Sequence, residues 1–290
     1  MAHERAGGQT LVHEAMAARF SVQVVHDPPQ YAWQAVCAAF DQLDMLEGQL
    51  SRFVEGSDVW RINRLRPGET AVVALDTFRC LALALELQQR TGGAFDVTYR
   101  SQPTSLPAER LGLRSGRSAV QMLASGVEVD LGGIGKGYAL DQMATVLAEW
   151  EVTTARLAAS SSTILALEPP PGEPGWLLTY GNTSGLRRRH LSRAAFSGSG
   201  VSVKGHHIRD PHTGLAAGRR VRAWARARSA AQADALSTAF MVMSGEAVAR
   251  YCRDACPAEQ VQAFLLEEPD DELRALPDSA FWEDSSKEVL

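Results

Sequence analysis

The residues best suited to chemistry stand in Asp130-Leu131-Gly132-Gly133-Ile134-Gly135-Lys136-Gly137, where a strand-like run gives way to glycines and then to helical spacing. Glycine lets the backbone approach a ligand and lets successive N–H groups point at one anion, while a helix N-terminus adds about half a positive charge. That is chemistry for a phosphate, although a tight structural turn satisfies the same pattern. Gly137 occupies the place where a Walker A loop has Ser or Thr, and the spacing is not GxGxxG, so neither nucleotide fingerprint applies. Asp234 and Thr238 lie four apart on a predicted helix and so share a face. A carboxylate and a hydroxyl together suit a hard cation such as magnesium, completed by phosphate and water. The same spacing also fits a capping aspartate and a threonine bonded back to its own helix.

Three further groups stand out. His206-His207-Ile208-Arg209-Asp210-Pro211-His212-Thr213-Gly214 gathers three imidazoles, a guanidinium and a carboxylate around a proline turn. Adjacent histidines on a strand point apart, so this is a loop for hydrogen bonding or proton transfer, or a capped surface turn, rather than a metal chelate. Thr91-Gly92-Gly93-Ala94-Phe95-Asp96 offers open backbone beside a ring and a carboxylate, and equally reads as a helix C-cap followed by a turn. Arg222, Trp224, Arg226 and Arg228 alternate along one predicted strand face, which reads as a solvated sheet surface. Ser160-Ser161-Ser162 lacks the Gly-x-Ser-x-Gly frame of a serine hydrolase.

These groups need elements to hold them. Phe20, Val22 and Val24 alternate as a strand over 17–26, and Val36, Phe40, Leu43, Leu46 and Leu50 recur every three or four residues on a helix from Tyr31 to about Ser51. A second helix runs from a cap at Asp76 or Thr77 to Gly92-Gly93. Val127-Glu128-Val129-Asp130 predicts a short strand into the glycine loop, after which a helix carries Leu140, Met143, Val146, Leu147 and Trp150. Runs at 155–167, 175–181, 190–196 and 219–229 are strand-like, and a helix over about 231–251 presents Leu236, Ala239, Phe240 and Met243. The expected fold class is therefore α+β, mixed sheets with packed helices, in one unit over 11–266 between a disordered 1–10 and an acidic tail at 267–290.

Composition narrows the classes. The chain has 290 residues, 45% hydrophobic and 22% charged, which is ordinary for a folded chain and excludes collagen-like, coiled-coil and wholly disordered readings. Lys and Arg number 29 against 34 Asp and Glu, a net charge of -5, so the basic footprint of a nucleic-acid binder is missing. Cys37, Cys80, Cys252 and Cys256 form no CxxC pair and read as buried thiols. The polar opening residues and the lack of an 18-residue apolar run predict a cytoplasmic chain without a membrane span, unless an export leader has been trimmed.

Taken in order, six segments resemble the ApbE family of flavin transferases. They are Met16 with Phe20-Ser21-Val22; Ser51-Arg52-Phe53 with Ser57 and Arg61-Ile62-Asn63-Arg64; Thr91 to Asp96; Asp130 to Asp141; His207 to Gly214; and Asp234 to Ala239. The resemblance runs from about residue 11 to 250. It implies a central FAD cleft and a magnesium-dependent transfer of FMN from FAD to a Thr or Ser hydroxyl of an acceptor protein, with AMP leaving. It implies that Met16, Phe53, Ala94, Phe95, Asp96, Asp130 and Lys136 contact FAD, with His207 and Ile208 near the pyrophosphate. Magnesium is expected on Asp234, Thr238 and the Gly133 carbonyl, and His207 or Asp96 is expected to accept the proton of the attacking hydroxyl. The chain departs from the family at Leu157 to Thr163, where an Asn-Leu-Gly-Gly-Asp-like stretch is usual, and at Gly198-Ser199-Gly200 in place of Thr-Ser-Gly. Further departures are Met16-Ala17-Ala18 in place of Met-Gly-Thr, and Phe53 in place of a common Tyr. Three other readings stay open: a protein that holds FAD without transferring FMN, a magnesium-dependent pyrophosphatase that splits FAD into FMN and AMP, and a structural or interaction domain with a degenerate cleft.

Overall fold

The computed structural model describes residues 8–101, 110–182, 185–200, 208–255, 259–268 and 273–276. The chain opens with the hairpin β1 (Gln9–Ala15) and β2 (Ala18–Val24), then α1 (Pro29–Leu50), whose first position holds a proline that needs no donor there. Next come α2 (Asp58–Ile62), β3 (Thr70–Val72), α3 (Leu75–Arg90), β4 (Leu111–Arg114) and β5 (Ala119–Met122). Helix α4 (Gly135–Glu149) follows the glycine loop and leads to β6 (Ala155–Ala159), β7 (Thr163–Ala166), β8 (Trp176–Asn182), β9 (Gly185–Leu191), β10 (Ala194–Gly200) and β11 (Arg222–Ala227). The last elements are α5 (Ala230–Val242), α6 (Gly245–Asp254), β12 (Gln262–Leu266) and β13 (Arg274–Leu276).

The main sheet has eight strands in the order β1-β2-β6-β7-β10-β11-β12-β13, and each neighbouring pair is antiparallel. Its two faces are covered differently, as the period-two alternation of strands requires. Phe20, Val22, Leu157, Leu165, Ala195, Ala225 and Leu265 face the helix layer, with Val36, Leu43, Leu140, Met143, Leu236 and Phe240 packed on them. Trp224, Phe196, Phe264 and Leu266 face the other way, under Trp176, Leu178 and Tyr180 of the β8–β9 hairpin. The small sheet β3-β5-β4 adds Leu111, Val120 and Met122 to the core on the helix side.

Four expectations change. Residues 127–130 form no strand, because side chains and neighbouring loops take up their backbone groups instead of a ladder: Asn63 bonds both Val129 N and Val129 O, Ser101 Oγ accepts from Glu128 N, and Val97 O accepts from Asp130 N. The start of α3 is satisfied from a distance rather than by Asp76 or Thr77. Asp58 Oδ2 on α2 accepts from Ala74 N at 2.8 Å and from Thr77 Oγ1 at 2.7 Å. The helix expected over 231–251 is two helices, because Ser244 is an N-cap whose hydroxyl accepts from Ala247 N and starts α6 afresh. The Arg222–Arg228 face is not a solvated surface: Trp224 is buried against Tyr180, with ring centroids 6.1 Å apart. Cys80 and Cys252 are buried thiols, as expected, and burial pushes Cys252 up to about 12; Cys37, expected buried as well, is only half-buried, and Cys256 lies outside the described residues.

Candidate active site

The site is built where two helices begin. A Cβ on Gly137 would stand 2.2 Å from Ala230 O, so the first turn of α4 touches the first turn of α5 backbone to backbone, and only glycine permits it. Asp141, one turn further along α4, binds the start of α5: its oxygens accept from Ala230 N at 2.8 Å, Ala231 N at 2.9 Å and Ser229 Oγ at 2.7 Å. Burial pushes the Asp141 carboxyl above its usual value, against the pull of those donors. At the other end of α5, the buried Arg220 donates to Phe240 O at 2.6 Å and Met243 O at 2.8 Å. The helix carrying Asp234 and Thr238 is thus held at both termini by side chains from other elements.

Asp234 is buried on that helix and faces the glycine loop. Its Oδ2 accepts from Gly137 N at 3.2 Å and lies 3.5 Å from Lys136 Nζ, while Lys136 Nζ also donates to Gly132 O at 3.0 Å. Gly133 lies against Thr238, with its Cβ position 3.5 Å from Thr238 Oγ1 and 3.2 Å from the Phe95 ring. The predicted metal group of Gly133, Asp234 and Thr238 therefore does come together. The set is all oxygen, from a carboxylate, a hydroxyl and a glycine-loop carbonyl, and the ammonium of Lys136 already links Asp234 to the neighbouring Gly132 carbonyl. A hard cation fits such a set. Among the described residues no three His, Cys, Asp or Glu side chains cluster as metal ligands.

The flavin-side residues arrive from several directions. The Thr91-to-Asp96 turn runs beside the glycine loop, with Gly92 and Gly93 at φ +62° and +84°. Ala94 and Phe95 are buried within it, and Phe95 N donates to Thr91 Oγ1 at 3.1 Å. Asp96 is buried too, but its oxygens are taken: Oδ2 by Arg110 Nη1 at 3.1 Å, and Oδ1 by Thr98 N and Thr98 Oγ1 at 2.7 and 2.6 Å. That arrangement suits a fixed post better than a proton acceptor. Asp130 Oδ1 closes the loop onto Gly132 N at 2.9 Å, and its Oδ2 meets Arg52 Nε at 3.2 Å and Tyr99 OH at 3.3 Å. Phe53 is 78% exposed, with the Arg52 guanidinium 4.0 Å over its ring. Met16 sits in the β1–β2 turn at φ 52°, with its N–H on Glu47 Oε1 at 2.8 Å.

The histidine turn docks on this structure at its far end. His212 Nε2 lies 2.9 Å from Gly92 O and Nδ1 lies 3.1 Å from Asp210 Oδ1, while Ile208 is buried and its carbonyl accepts from Ala217 N. His206 and His207 lie outside the described residues. Sequence reasoning gave no role to Asn63, Asp141 or Arg220. The first two sit inside the matched segments and were visible as residues, but their partners lie 66 or more positions away.

Fold and site together define a class: an antiparallel α+β protein in which a glycine loop and a buried carboxylate meet at two abutting helix starts. Residues 16–265 match the ApbE family, and the chain belongs to it. Among solved structures, the flavin transferase ApbE of Vibrio cholerae has a TM-score of 0.79 at 20% identity, over 92% of this chain and 96% of that one. The Pseudomonas stutzeri flavinyl transferase ApbE gives 0.80 at 20% identity, over 96% and 97%. The ApbE protein of Thermotoga maritima gives 0.77 at 24% identity, over 93% and 97%. No curated protein matches the chain. Among the described residues no helix is long and apolar enough to cross a membrane.

Proposed function

We propose that this protein is a flavin transferase that moves FMN from FAD to a Thr or Ser hydroxyl of an acceptor protein and releases AMP, with magnesium required. The observation that carries the reading is the convergence of Asp234, Thr238 and Gly133 with Lys136 at the start of α4, beside the buried Phe95. An anion-seeking helix start and a cation-seeking oxygen set within one side chain's reach of each other suit a pyrophosphate and its counter-ion. Asp234, Thr238 and Gly133 would hold magnesium, which supplies neutralisation of pyrophosphate charge as the phosphoryl group is displaced. Lys136 adds a second positive charge on the same side and is released from Gly132 O when a phosphate oxygen offers a better partner. Phe95 and Ala94 form the buried wall of the flavin cleft, and Asp96, fixed by Arg110 and Thr98, orients the turn that carries them.

Proton removal from the acceptor hydroxyl falls to His207 in this reading, because the carboxylate oxygens of Asp96 are already occupied. The test is to incubate the purified chain with FAD, magnesium and a flavin-acceptor domain and to follow AMP and the intact mass of the acceptor. An acceptor that gains one FMN, and fails to do so with chelator, is the expected result. AMP without labelling would replace transfer by hydrolysis, and bound FAD with neither product would leave a flavin-binding protein.

A further inference from the structure

The magnesium ligand Asp234 has two oxygens, and the fold treats them differently. Thr163 on β7 and Ser197 on β10 are direct partners across the strand pair, so their side chains leave the sheet on one face, beneath α5. Both are fully buried. Thr163 Oγ1 lies 3.2 Å and Ser197 Oγ 3.3 Å from Asp234 Oδ1, and the two hydroxyls lie 2.9 Å from each other. Each hydroxyl has one proton to give. The Thr163–Ser197 edge uses at most one of the two, which leaves the other for the carboxylate. Ser237 Oγ, 3.4 Å from Ser197 Oγ, donates at 2.9 Å to the backbone carbonyl of Asp234 and backs the group. With Oδ1 so held, Oδ2 is left facing Gly137 N and Lys136 Nζ in the glycine loop.

We propose that Thr163 and Ser197 are positioning residues for the cation: they anchor Asp234 Oδ1 from the sheet so that Oδ2 is presented to the metal without a search through rotamers. This rests on the reading of Asp234 as a metal ligand. A carboxylate buried on a helix needs donors to remain there, and hydroxyls supply them without bringing a competing charge. The registered Thr–Ser pair brings both hydroxyls to the same oxygen, one donating to it and the other joined to it through its neighbour. A structural role alone would require buried hydroxyls to be satisfied somewhere; it would not require both to converge on one oxygen of the ligand carboxylate.

The test titrates Mn2+ alone into the full-length protein, without flavin, and reads free Mn2+ by its electron paramagnetic resonance signal. Thr163→Val and Ser197→Ala are expected to weaken Mn2+ binding, the double variant by about tenfold, as is usual for partners of a metal ligand. Thr163→Ser, which keeps the hydroxyl, should bind as the parent does. Asp234→Asn is the control for the underlying reading and should abolish binding. If Asp234→Asn binds normally, or the parent binds no Mn2+, the metal reading fails and takes the proposal with it. If Asp234→Asn abolishes binding while the folded hydroxyl variants bind as the parent does, the metal reading stands and the positioning proposal is overturned. Should Thr163→Val not fold, Ser197→Ala decides by the same readout.

Discussion

Asp234 is a carboxylate carried into the core, and what surrounds it explains why it is tolerated. Its two oxygens are met by hydroxyls, a backbone N–H and an ammonium, so the desolvation of a buried carboxylate is offset without a fixed ion pair of good geometry. Asp234→Ala should reduce magnesium-dependent transfer to background while the chain remains folded; retained transfer, read by acceptor mass, would remove Asp234 from the site. A second prediction belongs to the β1–β2 turn, where Ala17 sits at φ 53°, a region that a Cβ disfavours. Ala17→Gly should stabilise the protein by about 1 kcal/mol, measured as a raised urea midpoint with unchanged slope. At this scale the sequence was informative about identity and silent about partnership. Asp234 and Thr238 share a helix face by spacing alone, whereas Asn63, which clamps Val129 through both its amide groups, has a partner that no local pattern reveals.

The elements matter through where their ends meet. Helix α5 is apolar almost all round and is buried along most of its length, so its position comes from its termini: Asp141 at the start, Arg220 at the end, and Gly137 at the contact with α4. Asp141→Ala would leave the N–H groups of Ala230 and Ala231 buried without acceptors and should destabilise the fold by about 1–3 kcal/mol. A denaturation midpoint that does not move would refute that role. Gly137→Ala forces a methyl into the Ala230 carbonyl and should cost about 1–3 kcal/mol as well as Mn2+ binding, because Asp234 must move with α5. Periodicity predicted the helix from Tyr31, the β2 strand and the glycine-loop helix, since those signals are local. It missed the break at Ser244, where a helical apolar pattern runs on across a capping serine. It also mistook 127–130 for a strand, because an extended, alternating run reads the same whether a ladder or side chains satisfy its backbone.

Over the whole molecule, one antiparallel sheet separates two layers that do different things. The helix face carries α4, α5 and the site; the opposite face is closed by the β8–β9 hairpin through Tyr180, Phe196, Trp224 and Phe264. Tyr180 lies 4.9 Å from Phe196 and 5.3 Å from Phe264 between ring centroids, and Tyr180→Ala should destabilise the chain by about 3–5 kcal/mol, with Mn2+ affinity unchanged in the fraction that remains folded. A loss of affinity in that folded fraction would mean that the layers are coupled. The sequence by itself determined the α+β class, the glycine loop, the placement of Asp234 and Thr238 on one helix face and the family, because each is written in residue type at short spacing or in ordered motifs. Only the tertiary structure decided which strands are neighbours, that α4 and α5 meet at Gly137, and that Thr163 and Ser197 share one oxygen of Asp234. The last two depend on contacts between residues 34 to 97 positions apart, and hydrogen bonds over such separations leave no period in the chain for a sequence to display.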